Sequence, residues 1–145
     1  MRSYMENNNF NVVVDTNVII SSLISKQLDS ATVKFMDLFY DNKINLYYSE
    51  EILDEYIDVL NRPKFKINSE MIKDVIRYIV ENGIEITPEN KNVLMIDIKD
   101  KPFYELVMDE QIDDAKLVTG NIKHFPIQTN IVTPSQFMEM YYKNL

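Results

Sequence analysis

Six polar side chains stand where an α/β chain can do chemistry: Asp15, Glu55, Asp97, Asp100, Asp114 and Asn121. Each falls near a predicted strand end or helix start. Asp15 follows Val12, Val13 and Val14, a run that reads as a buried strand of a parallel sheet. Ligands of open α/β sheets bind at the carboxyl ends of the strands. Carboxylates gathered there repel one another unless cations neutralise them. The chain has no cysteine and one histidine, His124. Any metal must therefore be held mainly by oxygen, which favours Mg²⁺ or Mn²⁺ over structural zinc. Such ions activate a water and steady the leaving oxygen of a phosphodiester. A plainer reading competes with this one. Asp15 or Asn17 can cap the next helix, and Asp97, Asp100, Asp113 and Asp114 can be solvated loop acids, as Glu50, Glu51 and Asp54 are expected to be.

Other chemistries lack their parts. A lone histidine rules out a histidine pair sharing acid and base roles, and a structural or RNA-contacting role suits His124 better. There is no Gly-rich phosphate loop, nucleophile elbow or dinucleotide fingerprint.

The elements that must position the acids alternate along the chain. Strands are predicted at residues 11–15, 44–48, 84–86, 116–119 and 131–133. Helices are predicted at 18–25, 31–40, 52–61, 69–81 and 102–108, with a last one running to Tyr142. Ser30, Ser49, Asn68 and either Thr133 or Ser135 are the expected caps. Val33, Met36, Phe39 and Tyr40 are the expected buried face of one helix, and Met71, Val75, Tyr78 and Ile79 of another. Asn82-Gly83 reads as a helix C-terminal signal. This alternation implies a parallel sheet covered by helices on both faces. Residues 1–10 read as a loose lead-in with Phe10 as first anchor, and 89–99 as connector.

At 145 residues and 46% hydrophobic content, the expectation is one domain with a real core. Net charge is −8, which counts against a module that binds nucleic acid by charge alone. A nuclease stays open, because acids that converge on divalent cations make a locally electropositive site. No apolar run is long enough for a membrane span, and residues 1–9 lack a signal core. The expected location is cytoplasmic.

Four segments, in order, read VVVDTNVII at 12–20, SEEILDEYIDVLNRPKF at 49–65, DIKDKPFYE at 97–105 and LVTGNIKHFP at 117–126. Together they resemble the PIN-domain ribonucleases, in the branch of bacterial toxin–antitoxin toxins. The resemblance runs from Asn11 to Tyr142. It implies a three-layer α/β/α fold around a parallel sheet of about five strands, and a metal-dependent endoribonuclease. By motif position, Asp15, Glu55 and Asp100 match the carried acids. Asn121 falls where many relatives have a fourth acid, and Asp97 matches a further one. Asp114 is displaced by one position from the acid expected before strand four. Thr16, Asn17 and Thr119 match polar residues that support the metal ligands. The implied cofactor is Mg²⁺ or Mn²⁺. The implied partners are an RNA substrate, a cognate antitoxin and a second copy of the chain.

The rival from another class is a non-catalytic α/β module, either a silent PIN relative or a receiver-like domain. A receiver requires a phospho-acceptor aspartate after strand three and a lysine after strand five. Here Thr87-Pro88 and Pro134-Ser135 occupy those places.

Overall fold

Val12, Val13 and Val14 have no exposed surface, and this buried run fixes the middle of the fold. In the computed structural model, which describes residues 9–89, 100–126 and 128–145, it forms most of β1 (Phe10–Val14). Among the described residues, β1 is followed by α1 (Thr16–Ile24), α2 (Ala31–Tyr40), β2 (Ile44–Tyr48), α3 (Glu50–Leu60), α4 (Ser69–Asn82), β3 (Ile84–Glu85), α5 (Lys101–Val107), β4 (Lys116–Val118), β5 (Ile131–Val132) and α6 (Pro134–Lys143). The sheet order is β3-β2-β1-β4-β5, and every neighbouring pair is parallel. Val12 pairs with Leu46 on one side, and Val14 with Val118 on the other.

The α2 helix packs against α1 and α6, and α3 against α4 and α5, giving the expected three-layer α/β/α fold. The chain fills β2 and β3 to one side of β1 before crossing to β4 and β5 on the other. The β1–β4 pair is thus the point where the winding reverses, and such points open the ligand crevice of doubly wound sheets. A receiver-like order would be 2-1-3-4-5, so that rival is set aside. No helix among the described residues is long and apolar enough to cross a membrane.

The caps are those expected. Ser30 accepts from Val33 N, Ser49 from Ile52 N and Asn68 from Glu70 N, and Thr133 forms a full capping box with Gln136. Element edges differ by one or two residues. Helix α1 starts at Thr16 rather than 18 and α3 at Glu50 rather than 52. Two buried faces are rotated from those predicted. Phe35, not Val33, joins Met36 and Phe39 in the core, and Ile72 replaces Met71, which is 41% exposed. Ile72 is adjacent to Met71 and Phe35 lies two residues beyond Val33, and in each case packing chose between the apolar alternatives. Phe10 is not lead-in but the first residue of β1, edge-on to Phe137 with ring centroids 5.3 Å apart. Residues 1–8 and 90–99 lie outside the described residues.

Gly83 ends α4, but not through a left-handed cap. Its φ of −78° and ψ of 171° are open to any residue. The constraint is space, because a Cβ there would stand 2.6 Å from the Ile79 carbonyl oxygen and 2.9 Å from the Tyr48 ring. Gly83→Ala is expected to destabilise the protein by about 1–3 kcal/mol, measured by urea unfolding. A change under about 0.5 kcal/mol, the size of an ordinary surface substitution, would show that Tyr48 and the α4 terminus give way freely.

Candidate active site

Pairing of β1 with β4 sets the turns that follow them side by side. The Asp15 amide donates to the Val118 carbonyl at 2.9 Å, and the Thr119 amide donates to Val132 at 2.9 Å. Beyond these, side chains tie the turns together. The Thr119 hydroxyl, fully buried, donates to Asp15 Oδ2 at 2.7 Å. Thr119 Oγ1 accepts from the Asn121 amide at 3.0 Å. Asn17 Nδ2 donates to the same Asp15 oxygen at 3.3 Å, and Asn17 Oδ1 accepts from the Gly120 amide at 3.1 Å. Asp15 is the residue flanking α1, yet its side chain makes no cap bond to that helix. The capping reading therefore fails for Asp15, whose carboxylate is held by the opposite turn.

Asp15 is 6% exposed. Its carboxyl is pushed up to about 6, chiefly by burial and then by the charges of Asp100 and Glu55, against the lowering effect of the Thr119 hydroxyl and the Thr16 amide. Glu55 is half-buried on α3. The next residue, Tyr56, is fully buried, and its hydroxyl donates to the Val14 carbonyl, one residue before Asp15. Burial pushes the Tyr56 phenol well up, and the Asp15 charge adds to this. Asp100 opens α5 with its side chain 14% exposed, and its Oδ2 lies 3.3 Å from His124 Nδ1. His124 sits in a short 3₁₀ turn, Ile122–His124, just after Asn121.

The carboxylates of Asp15, Asp100 and Glu55, which act on one another here, are oxygen donors of the kind a hard divalent cation takes. The Thr16 hydroxyl adds one more, buried with no hydrogen-bond partner among the described residues. In this geometry, no three acids or histidines among the described residues form a ready-made ligand set.

The remaining expected residues divide plainly. Thr16, Asn17, Thr119 and Asn121 lie on the two turns, with Asn121 exposed. Asp97 lies outside the described residues. Asp114 is not brought to this edge. It precedes β4 by two residues, at the amino end of the sheet, with φ of 49° and its carboxylate 3.4 Å from Lys116 Nζ. Two contributions escaped the sequence. The Tyr56 hydroxyl reaches a strand carbonyl and the His124–Asp100 contact joins two elements, and neither has a local signal.

Comparison with models of protein families matches residues 11–123 to the PIN domain. The chain belongs to the PIN-domain family. Comparison with curated proteins gave no match. The matched span holds every residue of both turns, together with Glu55 and Asp100. A PIN domain has a nuclease-type fold, and members of the family are generally hydrolases that use divalent metals.

The raised Asp15 pKa has a measurable consequence in the metal-free PIN domain. A carboxyl that titrates near 6 folded and near 3.8 unfolded stabilises most below the lower value and loses that contribution as pH rises through the upper one. Relative to Asp15→Asn, wild type in chelator is expected to lose roughly 3 kcal/mol between about pH 4 and pH 7. Urea unfolding of both proteins across that range tests this, and parallel curves would refute it.

Proposed function

We propose that this PIN domain is a Mg²⁺- or Mn²⁺-dependent endoribonuclease that hydrolyses RNA phosphodiesters, and that it is the toxin of a toxin–antitoxin pair. The supporting observation is Asp15, a carboxyl buried at the winding reversal and strained by burial and by the charges of Asp100 and Glu55. A carboxylate kept in that state is relieved by a cation. Asp15, Glu55 and Asp100 would hold the ion, with Asn121 and Asp97 assisting it or a second one. Once bound, the ion supplies phosphate neutralisation and water activation. The chain's own residues do the positioning. Thr119 and Asn17 fix the Asp15 carboxylate, Tyr56 docks the helix that carries Glu55, and His124 contacts Asp100. The toxin role rests on the resemblance of the four segments, and a cognate antitoxin would be the protein that covers this edge.

The test is cleavage of a mixed single-stranded RNA with Mn²⁺, with EDTA as control. Asp15→Asn and Asp100→Asn should each remove most activity, while metal-free stability holds or rises as repulsion falls. Asn121→Asp should lower the Mn²⁺ concentration needed, and His124→Ala should reduce activity only modestly. Cleavage that survives both EDTA and Asp15→Asn refutes the mechanism. No cleavage by folded wild type favours a silent PIN relative.

Metal binding is read separately as thermal stabilisation. Ions that bind only the folded state raise the melting temperature by mass action. The Mn²⁺-induced shift should be clearly smaller for Asp15→Asn, and equal shifts would place the ion elsewhere.

A further inference from the structure

A groove of about 420 Å³ opens beside the paired turns. Asn17, Gly120 and Asn121 form the wall that it shares with the acidic site. The opposite walls are the first turns of α2 and α6, residues 30–32 and 134–135. In a chain of net charge −8, none of the lining residues is an acid or a base. An anionic ligand therefore meets no charged side chain in the lining, and two ten-residue helices start at its rim, each with a positive dipole end.

The lining also has two textures. Ala31 supplies the accessible aliphatic surface, over Val18 and Pro134, which are buried beneath it. Ser21, Ser30 and Thr32 form a hydroxyl chain, with Ser21 Oγ 3.2 Å and Ser30 Oγ 3.5 Å from Thr32 Oγ1. Either partner in each contact can donate, so the chain can reverse to meet a group that both donates and accepts. The ribose 2′-hydroxyl is such a group, and it is what lets proteins tell RNA from DNA.

We infer that this groove is a nucleotide subsite, taking the ribonucleoside unit next to the scissile phosphate of a single-stranded RNA. The base lies on the aliphatic surface, the ribose meets the hydroxyl chain, and the adjoining phosphate faces the helix starts and the neutral Asn17–Asn121 wall. The inference rests on the nuclease reading above and names the part of that site which receives the strand. It also gives Asn121 a use that an acid would spoil, because a carboxylate there would face the incoming phosphate.

The experiment titrates the PIN domain with adenosine 5′-monophosphate in Mg²⁺, observed through backbone amide resonances, alongside 2′-deoxyadenosine 5′-monophosphate. Perturbations should centre on Ser21, Thr32, Gly120 and Ser135, and the ribonucleotide should bind several-fold more tightly than the deoxynucleotide. Ala31→Leu fills the groove without touching the acids. It should weaken ribonucleotide binding at least tenfold and raise KM for RNA, with the Mn²⁺-induced thermal shift unchanged. Ser135→Leu, on the opposite wall, serves the same purpose should Ala31→Leu fail to fold. Perturbations on another face, or ribonucleotide affinity unchanged in a folded filled variant, overturn the subsite. RNA cleavage with unchanged KM in the filled variants also sinks the subsite while the nuclease reading stands. Groove binding by a wild type that cleaves no RNA upholds a ribonucleotide site in the groove but overturns both its place beside a scissile phosphate and the nuclease reading.

Discussion

A carboxylate withdrawn from water at the end of the central strand is the constraint on which the rest depends. An acid in such a place must be satisfied by donors, neutralised by a proton or matched by a cation. The chain answers this demand in two ways. Asp109, also buried, accepts from the backbone amides of Gln111 at 2.8 Å and Glu89 at 2.9 Å. Burial alone would raise its pKa, but these bonds outweigh burial and hold it below the usual carboxylate value. Asp109 is a structural acid that pins a loop. Asp15 receives the Thr119 hydroxyl and the Asn17 amide, and burial with two neighbouring acids still outweighs them. Strong perturbation by burial and specific charges marks a functional carboxyl more often than a structural one.

The topology makes that state possible. In the order β3-β2-β1-β4-β5, only β1 and β4 lead into turns on either side of the winding reversal. Their pairing continues one bond past the last ladder residue, from the Asp15 amide to Val118. The two turns are therefore fixed to each other by backbone before any side chain acts. The side-chain bonds through Thr119, Asn17 and Gly120 then orient a carboxylate whose position is already determined. Glu55 and Asp100 arrive on separate helices, and each is steadied by a neighbour. The Tyr56 hydroxyl locks α3 onto the strand end, and His124 contacts Asp100 from the turn after β4.

Much of this was legible in the sequence because its signals are local. Strand β2 and helix α2 have the boundaries their composition and caps predict, and the valine run before Asp15 identified the central strand. Helix faces were less legible where two adjacent apolar residues fit one period, as Met71 and Ile72 do. Asp114 shows another limit. Asp114 precedes β4 and so lies at the amino end of the parallel sheet, opposite the carboxyl edge that holds Asp15. Tyr56 and His124 show a third. Their roles are contacts between elements, and a linear pattern carries no record of which oxygen a buried phenol will reach.

The charge of the chain bears on how any phosphate-bearing ligand reaches this edge. At −8, the long-range field opposes a polyanion, and salt weakens that opposition only beyond about 8–10 Å. Approach must then depend on short-range features that differ from the average surface. The structure offers two, side by side. One is the acid group around Asp15, which is repulsive when empty and attractive once a divalent ion is held. The other is the neutral groove at the starts of α2 and α6, free of acids and bases alike. Asn121 stands on the boundary between them. A carboxylate at that position would strengthen the first feature and weaken the second, and an amide preserves a neutral path from the groove to Asp15. The same substitution that lowers the charge available to a metal thus lowers the barrier to the phosphate that the metal would meet.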